Sequence, residues 1–331
     1  MAATLTIAIP TYNRASHLEA RLREIIPQLT DAVRVQVFDN CSTDNTGEVA
    51  ASFQHPGIGY SRARQNMGMC RNICRGLEEA ETDWVWILGD DDPVTPGAIA
   101  DALRWISETS STVIQFDSTG GKIQRQDVIS TLEEFYARHD AIMTLYISAL
   151  LFKVPPLRKL YLLLSAAIFT YGPHTVLIVR MLEKELGSLE LRPETLLRAW
   201  RGEKGWSSLE VALGISVLPE FVLNPAMQRI AAQRLRMDVC WMFVYGLREV
   251  SDRASAMKFR RIVRQSLGNL CSYGARRFIL GSGDRKPSPG ERKNFLISTL
   301  VPLLPIPVIT RLAARMRAKH LQKKGILVEF Q

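Results

Sequence analysis

Trp84-Val85-Trp86-Ile87-Leu88-Gly89-Asp90-Asp91-Asp92 is the stretch of this 331-residue chain from which its fold is read. Five apolar residues in a row, without alternation, predict a strand buried on both faces, as in parallel sheets covered by helices. The strand stops at a glycine and three carboxylates. Adjacent anions repel one another, so gathering them costs energy unless a cation or solvent compensates. Hard oxygen ligands at a strand end suit Mg²⁺ or Mn²⁺, which bind through one or two carboxylates plus the phosphates of a substrate. Taken alone, residues 90–93 also read as an acidic turn, since Asp and Asp-Pro initiate turns. The flanking sequence shifts the balance.

Upstream, residues 5–9 form a first apolar strand that ends at Pro10-Thr11-Tyr12-Asn13-Arg14. Ser16 is expected to cap the following helix, with Glu19 completing the capping box. Leu18, Leu22, Ile25, Ile26 and Leu29 then recur at helical spacing. A second strand, 33–38, ends at Asp39-Asn40-Cys41-Ser42-Thr43-Asp44, and a third, 58–61, is followed by Arg62, Arg64, Asn66 and Gly68. Downstream, Thr95 as cap and Pro96 as first residue open a further helix, and 113–116 is a fifth strand. This is strand–helix alternation, and right-handed crossovers place its strands in one mostly parallel sheet. The polar clusters then share the carboxyl edge, where open α/β sheets bind ligands. Pro10, Thr11, Tyr12, Asp39, the stretch Arg62–Asn66 and Asp90, Asp91 and Asp92 are expected to converge there. No G-x-G-x-x-G follows the first strand and no G-x-x-x-x-G-K-[ST] is present, so neither dinucleotide nor P-loop binding is indicated.

Hydrophobic content of 47% and charged content of 23% are ordinary for a globular protein with ample core. Five cysteines without a C-x-x-C pair argue against a disulfide framework or a zinc site. The N-terminus runs straight into a strand with no signal peptide, and a cytoplasmic setting is expected. The net charge of +9 is uneven: residues 221–331 carry 21 Lys+Arg against 6 Asp+Glu, or +15, and residues 1–220 carry −6. A strongly basic tail seeks polyanions, either lipid headgroups or nucleic acid.

The order T-I-A-I-P-T-Y-N-R, V-F-D-N-C-S-T-D-N-T, N-M-G-M-C-R-N and W-I-L-G-D-D-D resembles the GT-A glycosyltransferases of sequence family 2, closely over residues 4–120 and loosely to about 215. The resemblance implies a GT-A (Rossmann-like) α/β fold and an inverting, Mn²⁺- or Mg²⁺-dependent enzyme that uses a nucleotide-diphosphate sugar donor. In that family the segment after strand one and the Asp after strand two hold the nucleotide base, positions matched by Pro10, Thr11, Tyr12 and Asp39. Arg71 matches the Arg of an A-R-N segment facing the diphosphate, and Asn66 opens the same cluster. Asp90 and Asp92 match the D-x-D pair, the first near the ribose and the last on the metal, with Asp91 between them in the donor site. The family's base is an Asp or Glu some hundred residues further on. Here the chain departs from the pattern, since no carboxylate stands between Ser165 and Leu182. Gly172-Pro173 predicts a helix start with His174 in its first turn, where the helix dipole disfavours imidazolium and leaves a proton acceptor. His174 is therefore the candidate base and Asp117, after the fifth strand, the second.

Residues 197–206 form a basic loop broken by glycines, with Trp200 and Trp206; Arg201 is expected on a phosphate and Trp against the sugar. A GT-A domain is thus expected over 1–215, with donor binding in 1–120 and the acceptor side in 121–215. A basic helical, membrane-associating region is expected over 216–331. Residues 281–290 read as a linker. The apolar run 295–309 is interrupted by Pro302, Pro305 and Pro307 and falls short of a span of roughly 20 residues. With the basic residues that follow, it reads as a monotopic anchor on the inner face of the membrane, and lipid fits better than nucleic acid. The expected acceptor is a saccharide or lipid-linked saccharide. The alternatives are a sugar nucleotidyltransferase and a non-catalytic nucleotide-binding protein of the membrane surface.

Overall fold

The structure, a computed structural model, describes residues 4–118, 121–139, 141–198, 207–272, 293, 294, 297 and 299–323. The chain divides into two units, Met1–Glu203 and Lys204–Gln331.

The first unit is built on an eight-stranded sheet: β1 (Leu5–Thr11), β2 (Val33–Asp39), β3 (Ile58–Arg62), β4 (Trp84–Ile87), β5 (Val113–Phe116), β6 (Asp127–Ile129), β7 (Leu150–Lys153) and β8 (Leu189–Arg192), in the order β3-β2-β1-β4-β7-β5-β8-β6. Its helices are α1 (Ala15–Ile25), α2 (Thr46–Ser52), α3 (Met69–Glu78), α4 (Ala98–Glu108), α5 (Leu132–Arg138), α6 (Val154–Leu157), α7 (Tyr161–Ala167) and α8 (Pro173–Glu183). β1 to β4 are mutually parallel, as the apolar runs predict. All four residues of β4 are buried, because helices cover both faces of the sheet. Trp86 lies edge-on to Phe116, with ring centroids 6.1 Å apart, at the centre of a core that includes Ile7, Ile9, Val35, Val37 and Trp105.

β5 is not the next strand along. β7 lies between β4 and β5, antiparallel to both, while β8 runs parallel to β5 and β6 closes the far edge. The sheet is therefore mixed, with its parallel half on the β3–β4 side. Two helix starts differ from the sequence expectation. α1 begins at Ala15, and its first amide is met by Asp44 Oδ2 at 3.2 Å from the loop after β2, so Ser16 is not the cap. α4 begins at Ala98 behind Gly97 (φ 82°), and Thr95 instead bonds the Leu196 carbonyl. α8 opens at Gly172-Pro173 as predicted.

The second unit is helical: α9 (Ser208–Ile215), α10 (Pro225–Gly246), α11 (Arg253–Ser272) and α12 (Ile306–Lys323). Asn224 caps α10 through its side-chain oxygen, which accepts from the amides of Ala226 and Met227. α9 packs on α10 and α11 and so belongs to this unit, although the sequence reading assigns it to the first. Within the apolar run, Val301 and Pro302 are buried while Leu300 and Leu303 stay exposed. No helix among the described residues is long and apolar enough to cross a membrane. The predicted linker, 281–290, lies outside the described residues.

Candidate active site

Register and strand order assemble the site. Thr11, Asp39 and Arg62 are direct neighbours in the last rung of β1, β2 and β3, and Asp90 follows β4 on the other side of β1. The order changes direction at β1, between β2 and β4, which is the crevice where such sheets take ligands. Thr11 Oγ1 donates to Asp90 Oδ2 at 2.7 Å across this switch point. Asp39 and Asp90 stand two strands apart, about 10 Å at the usual strand spacing.

Asp39 is fully buried, and its carboxylate is held from several sides. Oδ1 accepts from the Ser42 amide (2.9 Å) and hydroxyl (2.5 Å), and Oδ2 from the Tyr60 hydroxyl (2.6 Å), with Arg62 Nε at 3.5 Å. Burial and this bond hold the Tyr60 phenol protonated, well above its usual range. The loops after β1 and β2 are laced together: the Asn13 amide donates to Ser42 Oγ and Asn13 Oδ1 accepts from the Thr43 amide. Tyr12 is left exposed at this rim, beside half-buried Pro10. Asn66 Oδ1 accepts from Asn40 Nδ2 and the Gly68 amide, both at 2.8 Å, so its place is in ordering the loop before α3.

The acidic turn is shaped by its glycine. A Cβ on Gly89 would meet Asp92 Oδ2 at 2.6 Å, so a larger residue there displaces the Asp92 carboxylate from where it folds back over the strand end. Arg14 spans two of them, with Nε 3.3 Å from Asp90 and Nη2 2.8 Å from Asp91. Asp92 is clamped from the segment before β7: Tyr146 donates to Oδ1 and Ser148 to Oδ2, both at 2.5 Å. Ser148 also accepts the Gly89 amide, and its carbonyl takes the Trp86 indole N–H at 2.8 Å. One serine therefore ties strand, turn and carboxylate together. Burial pushes the Asp90 carboxyl up to about 6 against the pull of Arg14 and Thr11. Burial also raises Asp92, opposed by Ser148 and Tyr146.

These carboxylates fit a divalent cation. Two of them are costly to hold ionised without one, and a guanidinium already occupies the position of a counter-charge. Among the described residues no three His, Cys, Asp or Glu side chains form a complete metal cage. Mg²⁺ and Mn²⁺ sites completed by substrate phosphates need fewer protein ligands than that.

The remaining expected residues do not join this cluster. Arg71 runs along α3 to Glu78 at 2.6 Å. His174 is 1% exposed; Nε2 donates to the Leu145 carbonyl at 3.2 Å and Nδ1 has no partner. Burial lowers its pKa to about 4, so the imidazole is neutral, as the helix-start argument expects but from desolvation. In this conformation it supports the segment carrying Tyr146 and Ser148. Asp117 is buried and accepts from the amides of Gly121, Lys122 and Ile123, which fixes the turn after β5. Arg201, Trp200 and Trp206 lie outside the described residues. The chain leading to them is pinned beside the acidic turn, where the Arg198 amide donates to the Pro93 carbonyl at 2.8 Å and its guanidinium binds Glu24.

Sequence reasoning assigned no role to Arg14, Tyr60, Tyr146 or Ser148. Arg14 had a signal, as a basic residue in the polar stretch after β1; Tyr60 sits in the middle of β3 and had none. Tyr146 and Ser148 had none, because they lie between and within short 3₁₀ turns more than fifty residues beyond Asp92 in the chain.

Sheet order and switch-point crevice are those of the GT-A fold. Residues 6–153 match the model of glycosyl transferase family 2. Over 102 residues the chain is 33% identical to the abequosyltransferase RfbV of Salmonella typhimurium, covering 29% of this chain and 30% of that one. Over 107 residues it is 29% identical to the GalNAc(5)-diNAcBac-PP-undecaprenol beta-1,3-glucosyltransferase of Campylobacter jejuni, covering 31% and 35%. The matched segments thus span about a third of these relatives. The fold is also that of the mannosyltransferase PcManGT from Pyrobaculum calidifontis, solved with GDP-Man and Mn²⁺, at a TM-score of 0.51 and 15% identity over 98% of this chain and 88% of that one.

Proposed function

We propose that the chain is an inverting, divalent-metal-dependent glycosyltransferase that moves a sugar from a nucleotide-diphosphate donor to a hydroxyl of a saccharide or lipid-linked saccharide. The observation that carries this is the row Asp90–Thr11–Asp39–Arg62 across four strands at the switch point. Asp39, held rigid by Ser42 and Tyr60, receives a base N–H, and Tyr12 packs on the ring from the rim. Asp90 faces the ribose; Asp92, and Asp90 with it, hold Mn²⁺ or Mg²⁺, which when bound neutralises the departing diphosphate. Arg14, which spans Asp90 and Asp91, is the guanidinium that would stand beside the phosphates of a bound donor. Arg201 is assigned to the same phosphates. Arg71 and Asn66 are assigned to the donor side through the loop before α3.

Direct displacement requires a base on the acceptor hydroxyl. His174 stays neutral at physiological pH, as a base must, and reaches a hydroxyl only if the segment at Leu145 yields. Asp117 is the carboxylate alternative. The Campylobacter relative is named for a lipid-linked acceptor and the second unit is basic, which supports a peripheral position on the inner face of the membrane.

The test is incubation with nucleotide sugars, Mn²⁺ and a panel of saccharide and lipid-linked acceptors, followed by NMR of the product. Release of nucleoside diphosphate with a product of opposite anomeric configuration is expected. Retention of configuration excludes the displacement, and pyrophosphate as by-product indicates a nucleotidyltransferase instead.

A further inference from the structure

We propose that the exposed face of the helical segment after β7 is a membrane-contact surface of the first unit itself, binding anionic phospholipid. The inference deepens the membrane-surface part of the proposed function and rests on that reading; it adds a contact on the unit that carries the donor site, distinct from the basic C-terminal region.

The composition of the segment is unusual. Between Asp140 and Glu183 the chain runs 42 residues without a carboxylate, while it carries Lys153, Arg158, Lys159 and Arg180. Residues 154–170 are helical almost throughout, as α6, a 3₁₀ turn (Arg158–Leu160), α7 and a second 3₁₀ turn (Ile168–Thr170). Val154, Leu157, Leu160, Leu164 and Ala167 recur every three or four residues and are buried, so the inward face already satisfies the core. The exposed positions are Pro155, Arg158, Lys159, Leu162, Ser165, Ala166 and Phe169. Leu162 is 91% exposed and Phe169 58%. They lie seven residues apart, Leu162 in α7 and Phe169 in the 3₁₀ turn that follows it.

Exposed apolar residues scattered singly need no explanation, but a pair of them beside cations does. Neither Arg158 nor Lys159 has a carboxylate within 4 Å among the described residues. Arg158 reaches only the Ala80 carbonyl at 3.5 Å, and Glu78, near Tyr161, is engaged by Arg71. An apolar surface flanked by unneutralised cations and free of anions is the pattern of a helix lying in a lipid interface. The charge selects the occupant: anionic headgroups complement Arg158 and Lys159, and acyl chains accept Leu162 and Phe169. α7 packs on α3, whose first turn follows the carboxyl edge of the sheet. Contact through this face therefore holds the donor crevice next to the bilayer, where a lipid-linked hydroxyl is presented.

The test is flotation of the full-length protein with vesicles of phosphatidylcholine, with and without roughly a third phosphatidylglycerol. It is run in the parent and in an Arg311→Glu/Arg315→Glu background that weakens the C-terminal contribution. Leu162→Glu/Phe169→Glu is expected to lower partition into the anionic vesicles by about tenfold or more in both backgrounds, since two side chains no longer leave water. Leu162→Ala/Phe169→Ala, which leaves an exposed face without new charge, should give a smaller loss in the same direction. Thermal stabilisation by nucleoside diphosphate and Mn²⁺ should match the parent in every variant. A parent that does not float, or variants that float as it does, overturns the inference. So does a glutamate pair that turns a vesicle-free oligomer into a monomer, because the face is then a protein interface. Absence of nucleotide stabilisation in the parent would sink the proposed function instead, and the flotation comparison would still stand.

Discussion

Asp90→Asn is expected to make the ligand-free protein more stable at neutral pH while weakening donor binding. The Asp90 carboxyl stands at about 6 in the fold, against 3.8 when unperturbed, because burial outweighs Arg14 and Thr11. The folded state thus holds this proton more tightly than the unfolded chain. The stability it contributes is complete below pH 3.8 and is lost as the pH climbs to about 6. The gap between the two values corresponds to about 3 kcal/mol of opposition to folding at neutral pH. The side chain is nearly all buried, so solvent screening removes little of that. Asparagine keeps an oxygen for the Thr11 hydroxyl and carries no charge, and Arg14 retains Asp91. For a unit of this size the melting temperature should rise by roughly 6–12 °C at most. Thermal unfolding of parent and variant across the acid-to-neutral range reads the effect directly. The difference should be largest at neutral pH and shrink as the pH falls below about 6. A variant that melts below the parent at neutral pH, or by an amount indifferent to pH, refutes the idea that this carboxylate is held at a cost the ligand relieves.

Asp39→Asn leaves donors from Ser42 and Tyr60 facing an amide, so it should cost about 2–4 kcal/mol of stability and weaken nucleoside diphosphate binding with or without metal. Denaturant titration and calorimetry check both; a binding loss confined to the metal-bound state would misplace Asp39. Tyr146→Phe and Ser148→Ala each remove a hydrogen bond to the Asp92 carboxylate, and each should lower Mn²⁺-dependent affinity about tenfold while metal-free binding stays put. Unchanged Mn²⁺ dependence in both variants would leave the clamp without a role. His174→Ala, if the imidazole is the base, should slow transfer about a hundredfold with nucleotide affinity intact. Normal turnover with a lower melting temperature would assign His174 to packing beneath Leu145.

The parallel half of the sheet and the row of polar residues along its edge were legible because local signals coincided there. Unbroken apolar runs gave the strands, and Asp39 and Asp90 fell on the carboxyl edge wherever the exact strand ends lay. The far half was not legible in the same way. β7 carries an apolar run as β4 does, and nothing local distinguishes an antiparallel insertion from a helix segment. Tyr146 and Ser148 escaped for a related reason: their contact with Asp92 depends on β7 lying beside β4, a long-range pairing. The start of α1 was misjudged because its amide is met by Asp44 from another loop, which no capping box records. For His174 the sequence indicated a neutral imidazole at a helix start, and only the fold shows it enclosed against Leu145.

Calorimetric titration of nucleoside diphosphate into the parent and into Asp92→Asn, each with and without Mn²⁺, decides whether Asp92 carries metal-assisted donor binding. The parent is expected to bind more tightly with Mn²⁺, and Asp92→Asn to lose this gain while melting as a folded protein. Binding in the parent that ignores Mn²⁺, or a gain that survives in Asp92→Asn, contradicts that role.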